Sequence, residues 1–271
     1  MFAKVMIDNI SKNELIPEWG LSVYIEHEGH KFLLDTGGSG KFAQNAKKLG
    51  ISLEEVEYGI LSHAHYDHAD GMAEFFKINN KAKFYLREGA AENCYGKRWI
   101  FRKYIGIHKG FLQDYKGRIV YAGGDYELAP GAYLIGHKTQ GLGKIGEKAN
   151  LYIRKDGKLC GDDFAHEQSL VFDTAQGLVI FNSCSHGGAD NIINEIAATF
   201  PEKQIYAMIG GFHLFKSSEQ EVRALAQRIK DTGIRKIVTG HCTGQRAFDI
   251  LKEELGDVAE QIYTGLEITV G

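Results

Sequence analysis

Residues 61–71 read Leu-Ser-His-Ala-His-Tyr-Asp-His-Ala-Asp-Gly, which places His63, His65, Asp67 and His68 within six positions just after the short apolar run Tyr58 to Leu61. In an extended segment alternate side chains share a face, so His63 and His65 point the same way. The turn that follows can swing Asp67 and His68 toward a neighbouring point, so a single loop can serve two adjacent metal ions. Imidazole and carboxylate suit zinc, and equally iron or manganese, and an open coordination position leaves room for a reactive water. A strand, then a polar loop, then a helix near Asp70 to Phe76 is where α/β proteins place their chemistry.

Working outward, β-rich runs at Lys4 to Ile7, Leu21 to Glu26 and Lys31 to Leu34 precede the loop and end at Asp35-Thr36-Gly37-Gly38; a helix follows from about Lys41 to Leu49. Strands resume near Arg118 to Tyr121, Ala132 to Ile135, Asn150 to Arg154, Ser169 to Phe172 and Leu178 to Phe181. The last third alternates: helix 189 to 199, strand 204 to 209, helix 218 to 231, strand 236 to 239, helix 245 to 254 and strand 266 to 270. Two strand-rich halves, each carrying helices, predict two packed sheets with helices outside. The stretch from Arg87 to Asp114, rich in aromatic and basic residues, reads as a helical or irregular excursion that would serve as a lid.

The 271 residues are most economically one domain, 1–271, with no repeat and no low-complexity linker. A net charge of −3 without a separate basic block argues against nucleic acid as a partner. No apolar run approaches the ~20 residues needed to span a bilayer, and the opening MFAKVMIDNISKNE lacks the apolar core of a signal peptide, so a cytoplasmic protein is expected. Cys94, Cys160, Cys184 and Cys242 show no CxxC spacing, which predicts reduced thiols and no disulfide. Cys184 and Cys242 each lie within two residues of a candidate histidine ligand; thiolate is a strong zinc donor, although small buried residues are the commoner role.

Two distant histidines occupy the same kind of position as the 61–71 loop. His186 follows GLVIFNSCS and precedes Gly187-Gly188, and His241 follows KIVTG and precedes Cys242-Thr243-Gly244. A strand end, a histidine and a glycine-rich turn let the ring face a cleft. Histidines 27, 30 and 137 lack such context and read as surface or satisfied polar groups, and His166, beside Asp162, Asp163 and Glu167, reads as fixing a loop or contacting substrate.

The order DTGG, HxHxDH, SCSHGG, TGHCTG resembles the metallo-β-lactamase superfamily over nearly the whole chain. That resemblance implies a four-layer αβ/βα sandwich of two mixed sheets with outer helices. It implies that His63, His65 and His186 hold one metal and Asp67, His68 and His241 another, with Asp35 supporting the loop from behind. The segments GLSVYIEHEGHKFLLDTGG, DDFAHEQSLVF, MIGGFHLF and VTGHCTG more narrowly resemble the family of 7,8-dihydropterin-6-methyl-4-(β-D-ribofuranosyl)aminobenzene-5′-phosphate synthase. Superfamily members usually carry a metal-bridging aspartate between the third and last histidine motifs, where this chain has GGFHL. His213 there is read as a ligand, a substrate contact or a structural residue.

The activity implied is hydrolysis of a small anionic substrate, a phosphate ester, cyclic phosphate or thioester, by a hydroxide activated on two divalent ions about 3.5–4 Å apart, with Asp67 orienting the nucleophile. Zinc is the default ion, with iron or manganese admitted by the same ligands. Lys97, Arg98, Trp99, Arg102, Lys103, Tyr104 and His108 would bring cations and aromatic faces to the ligand, Arg98 and Arg102 foremost. Two alternatives are a metal-binding ligand sensor and a pterin or phosphate-compound synthase-like protein. A di-iron redox protein is disfavoured, because it would call for Glu at position 65 and a flavodoxin-like partner domain. A homo-oligomer remains open.

Overall fold

A computed structural model describes residues 1–12, 14–99 and 101–271, without the side chain of Arg98. The period-2 alternation of the strands decides its layering. In Gly177–Phe181, Val179 and Phe181 point to one side while Leu178 and Ile180 point to the other, and both sides are buried. A strand buried on both faces must lie between a second sheet and a layer of helices.

The first sheet orders its strands Glu267–Thr269, Phe2–Ile7, Ser22–His27, His30–Leu34, Tyr58–Ile60, Lys83–Arg87 and Ile119–Ala122, the last four being parallel neighbours. The second orders Ala259–Gln261, Lys236–Thr239, Ile205–Gly210, Gly177–Phe181, Gln168–Thr174, Ala132–Gly136 and Tyr126–Ala129, the first four again parallel. Val23, Ile25, Phe32 and Ile60 from one sheet meet Leu134, Phe172, Phe181 and Val238 from the other in a fully buried seam. Outside the first sheet, helices Lys41–Lys48 and Met72–Ile78 bury Phe42, Met72 and Phe75 against Leu33 and Phe84. Outside the second, helices Ala189–Thr199, Glu219–Asp231 and Gln245–Leu255 bury Ile192, Ile193, Leu225 and Leu251. The expected αβ/βα sandwich is therefore the observed fold. Ser218 begins the second of these helices with a capping box, its hydroxyl accepting from the Glu221 N–H while Glu221 accepts from the Ser218 N–H.

The stretch 87–114 departs from expectation. Among its described residues only Phe111–Asp114 is helical; Cys94–Arg98 and Phe101–Tyr104 form a hairpin that joins Leu151–Lys155 and Lys158–Gly161 in a third, four-stranded sheet. Tyr95 and Tyr104 are direct cross-strand partners with edge-on rings 5.4 Å apart, the kind of aromatic pair that stabilises a hairpin. The strand it pairs with lies far along the chain, so local periodicity could not report it. No helix among the described residues is long and apolar enough to cross a membrane.

Candidate metal centre

The parallel strands aim their carboxyl ends at one rim, the edge where open α/β sheets gather their functional loops. Asp35 follows His30–Leu34, His63 follows Tyr58–Ile60, His186 follows Gly177–Phe181, His213 follows Ile205–Gly210, and His241 follows Lys236–Thr239. The His63 to His68 loop is clamped by the hairpin segment: Tyr66 N–H donates to the Ile105 carbonyl (2.9 Å) and Ile107 N–H to the Ala64 carbonyl (3.2 Å). His65 is extended and starts the one-turn helix Tyr66–Ala69, which carries Asp67 and His68. Gly71 lets this loop touch the Asp35 loop backbone to backbone, since a Cβ there would stand 2.3 Å from the Thr36 carbonyl oxygen.

Two triads result. His63, His65 and His186 bring one potential ligand atom each to within 4.8 Å of one another, and so do Asp67, His68 and His241. The groups adjoin, the His63 and His68 rings being 4.2 Å apart between centroids. All six residues are buried, with Asp67 the most exposed at 8%.

The imidazoles are oriented from behind. Asp35 accepts from Ser62 N–H (2.7 Å), Ser62 Oγ–H (2.6 Å) and His68 Nδ1–H (2.7 Å). Because that hydroxyl proton points at Asp35, Ser62 Oγ accepts from His63 Nδ1–H (2.8 Å). Asn9 Oδ1 accepts from His241 Nδ1–H (3.1 Å), and Glu167 accepts from His186 Nδ1–H. Four rings thus keep their proton on Nδ1 and turn Nε2 inward, the tautomer a metal requires.

The inward atoms lack ordinary partners. Nε2 of His63 and of His65 is buried with no hydrogen-bond partner among the described residues, and His68 Nε2 faces His241 Nε2 at 3.2 Å. Two such nitrogens need a positive species between them, either a proton or a metal ion. Burial, reinforced by the neighbouring imidazoles, holds His63, His65 and His241 well below the ordinary histidine range and so keeps them neutral. Burial also opposes charge on His68, but Asp35 and Asp67 outweigh it and raise its pKa. These residues fit bound metal in ligand type and, at His63 and His65, in unsatisfied lone pairs.

Behind His186 stands a chain of charges that sequence reasoning missed. His137, read from the sequence as a surface or satisfied polar group, is held between Glu167 (2.9 Å) and Glu195 (3.1 Å). Burial lowers its pKa, yet the two carboxylates prevail and lift it to about 9. A group raised above its unfolded value contributes stability that is complete below pH ~6.5 and lost as pH rises through the folded pKa. The contribution is on the order of 3 kcal/mol. The unfolding midpoint should therefore drop between pH 7 and 10 in the native chain and drop less in His137→Gln; equal drops would refute this role. His27 is also interior, packed on Phe172 with ring centroids 5.0 Å apart.

Two cavities open beside the triads. One of about 210 Å³ is lined by Trp19, His65, Asp67, Lys97, Lys216 and His241; the other, about 640 Å³, by Phe164, His186, Asn191, His213, Lys216 and Arg228. His213 belongs to neither triad but lines both cavities, its ring 4.6 Å from that of His186. Burial, then His186, depresses its pKa to about 3, so it meets any ligand as a neutral imidazole. His213→Ala should raise the KM for substrate severalfold while leaving bound metal unchanged; loss of metal would instead make His213 a ligand.

The remaining candidates lie elsewhere. His166 is buried behind the loop, accepting from Ala64 N–H (3.2 Å) and donating to Asp162 (3.0 Å), an arrangement that braces the loop and faces neither cavity. Arg102 lies over the Tyr152 ring at 6.0 Å and lines neither cavity, and the Arg98 side chain falls outside the described residues. Among the described residues, the cation that lines both cavities is Lys216, three positions after His213 in the strand-end loop. The Sγ atoms of Cys184 and Cys242 lie 3.4 Å apart beside His68 and His241.

A solved structure described as Tm1679, a metal-dependent hydrolase of the β-lactamase superfamily, aligns with all of this chain and 99% of its own at 32% identity and TM-score 0.84. The chain belongs to the metallo-β-lactamase superfamily. The superfamily's sequence profile matches residues 18–150, the part that carries Asp35 and the HxHxDH loop. Among curated proteins, 7,8-dihydropterin-6-methyl-4-(β-D-ribofuranosyl)aminobenzene-5′-phosphate synthase of Methanocaldococcus jannaschii is 29% identical, over 92% of this chain and 90% of that protein. Zinc-bound PqqB of Methylobacterium extorquens shares the fold at TM-score 0.58 and 10% identity, with both chains fully covered. Metallo-β-lactamase membership accounts for the layering.

Proposed function

We propose that this protein is a metal-dependent hydrolase of a small anionic substrate, a phosphate ester, cyclic phosphate or thioester, with two divalent ions, zinc by default, held in the paired triads. The observation that carries the reading is the pair of buried Nε2 atoms of His63 and His65 without hydrogen-bond partners among the described residues, next to the facing Nε2 atoms of His68 and His241 and beside an open cleft. When bound, the ions would supply a water of lowered pKa and an electrophilic anchor for an acyl or phosphoryl oxygen. Asp67 reaches the cavity while its Oδ2 stays 3.9 Å from His68 Nε2 and 3.7 Å from His241 Nε2, a position from which it can orient a nucleophile and accept its proton. Lys216 supplies a cation for the substrate's negative charge, and neutral His213 a hydrogen bond. Trp19 and Phe215, with ring centroids 5.8 Å apart, provide an aromatic wall against which a planar group can stack.

A second reading, action on a pterin-like, phosphate-bearing compound as a synthase, is favoured by the identity with the archaeal synthase over 92% of the chain. The larger cavity, with Lys148, Lys216 and Arg228 at a partly apolar wall, has room for a ring system and a phosphate. Phosphodiester, phosphomonoester and thioester substrates assayed before and after chelation separate the readings. Turnover lost with chelator and restored by added metal supports hydrolysis. Turnover that survives removal of all metal refutes it, and a metal-loaded protein inert toward all three classes favours the second reading.

A further inference from the structure

We propose that Cys184 is a metal ligand of this centre, its thiolate lying between the two triads and supplying an anionic donor shared by both sides. The proposal rests on the metal-binding reading above and adds a sulfur donor to it. Cys184 forms a buried group with His63 and His68, and a second one with His241 and Cys242, the potential ligand atoms of each group lying within 4.8 Å of one another. It therefore reaches His63 of one triad and His68 and His241 of the other. Its Sγ stands 3.4 Å from His68 Nε2. Independently, His63 Nε2, a member of the same group, is buried without a hydrogen-bond partner among the described residues.

Charge and space both call for this sulfur. Two divalent ions bring four positive charges, and the six histidine and aspartate ligands return only the one negative charge of Asp67. The Asp35 and Glu167 carboxylates behind the rings offset part of the remainder, and a thiolate at the ions themselves would offset more. The neighbouring strand end offers no carboxylate. It carries Gly210-Gly211, and a Cβ on Gly211 would lie 2.5 Å from Cys242 Sγ and 2.8 Å from the Ser183 carbonyl oxygen. The Cys242 side chain fills the space that a larger residue there would need.

The hydrogen bonds distinguish the two sulfurs. His213 N–H donates to Cys242 Sγ (3.2 Å), and the Cys242 S–H is directed at Cys184 Sγ (3.4 Å). Cys184 is thus the acceptor and Cys242 the group that positions it. Coordination replaces the S–H bond by a metal–sulfur bond and releases the proton to solvent.

The test uses the full-length reduced protein. X-ray absorption of the zinc form should show a sulfur scatterer near ~2.3 Å in addition to nitrogen and oxygen. The cobalt-substituted form should show sulfur-to-cobalt charge-transfer absorption in the near ultraviolet. That absorption should persist in Cys242→Ser and disappear in Cys184→Ser; the zinc measurement on the native chain stands even if a variant misfolds. A metal-loaded protein with only nitrogen and oxygen neighbours overturns the proposal while leaving the metal reading intact. So does absorption that survives Cys184→Ser, or a Cys184 to Cys242 disulfide in the metal-loaded protein. Failure to bind any metal overturns both.

Discussion

Asp35→Ala is expected to lower metal affinity by about 10- to 100-fold and to destabilise the fold by roughly 3–5 kcal/mol. The aspartate is fully buried and accepts three hydrogen bonds, from Ser62 N–H, Ser62 Oγ–H and His68 Nδ1–H. Alanine strands all three donors away from water, each at a cost of about 1–3 kcal/mol. It also frees His68 to change tautomer and lets the Ser62 hydroxyl rotate, which releases the Nδ1 proton of His63. One substitution would therefore disturb a ring in each triad. Asp35→Asn separates the effects: it preserves shape, so most of the stability should return, but its amide cannot accept from both sides and metal binding should stay weak. Denaturation midpoints and metal titrations of both variants check this, and native metal affinity in Asp35→Ala would be incompatible with it.

Asp67→Asn is expected to cut turnover by about 10²- to 10⁴-fold even at saturating metal. Asp67 is the anionic member of its triad and lines the small cavity, whereas the rings beside it are more deeply buried. Asparagine keeps the volume and one donor oxygen but can neither take a proton nor offset the charge of a cation. Kinetics measured across a metal titration distinguish the two roles. A loss fully rescued by excess metal would make Asp67 a ligand alone; a loss that persists at saturation assigns it the proton as well.

Much of this centre was legible in the sequence because its ligands sit where a strand ends and a glycine-rich turn begins. His63 to His68 form a local pattern, and His186 and His241 repeat its context in the other half of the chain. The groups that orient them were harder to read. Asp8 and Asn9 close the first strand: Asp8 accepts from the His241 N–H (2.9 Å) and Asn9 from its ring, and burial pushes the Asp8 carboxyl up to about 7. More than 200 residues separate these partners, and nothing in the local run MIDN points to His241. Glu167 was read only as a neighbour of His166, yet it is Glu167 that grips His186 and His137. The third sheet escaped notice for the same reason, since the hairpin at 94–104 gains its order from a strand that arrives fifty residues later. Helices such as Ala189–Thr199 and Glu219–Asp231 were legible because their apolar spacing is written locally, with a capping box at the start of the second.

Direct metal counting on the purified protein, with calorimetric titration of zinc into the stripped chain, tests the paired-triad centre most simply. Two equivalents in the native protein are predicted, falling in both His186→Ala and His241→Ala. A chain that takes up no metal, or whose uptake is indifferent to the loss of both histidines, would contradict it.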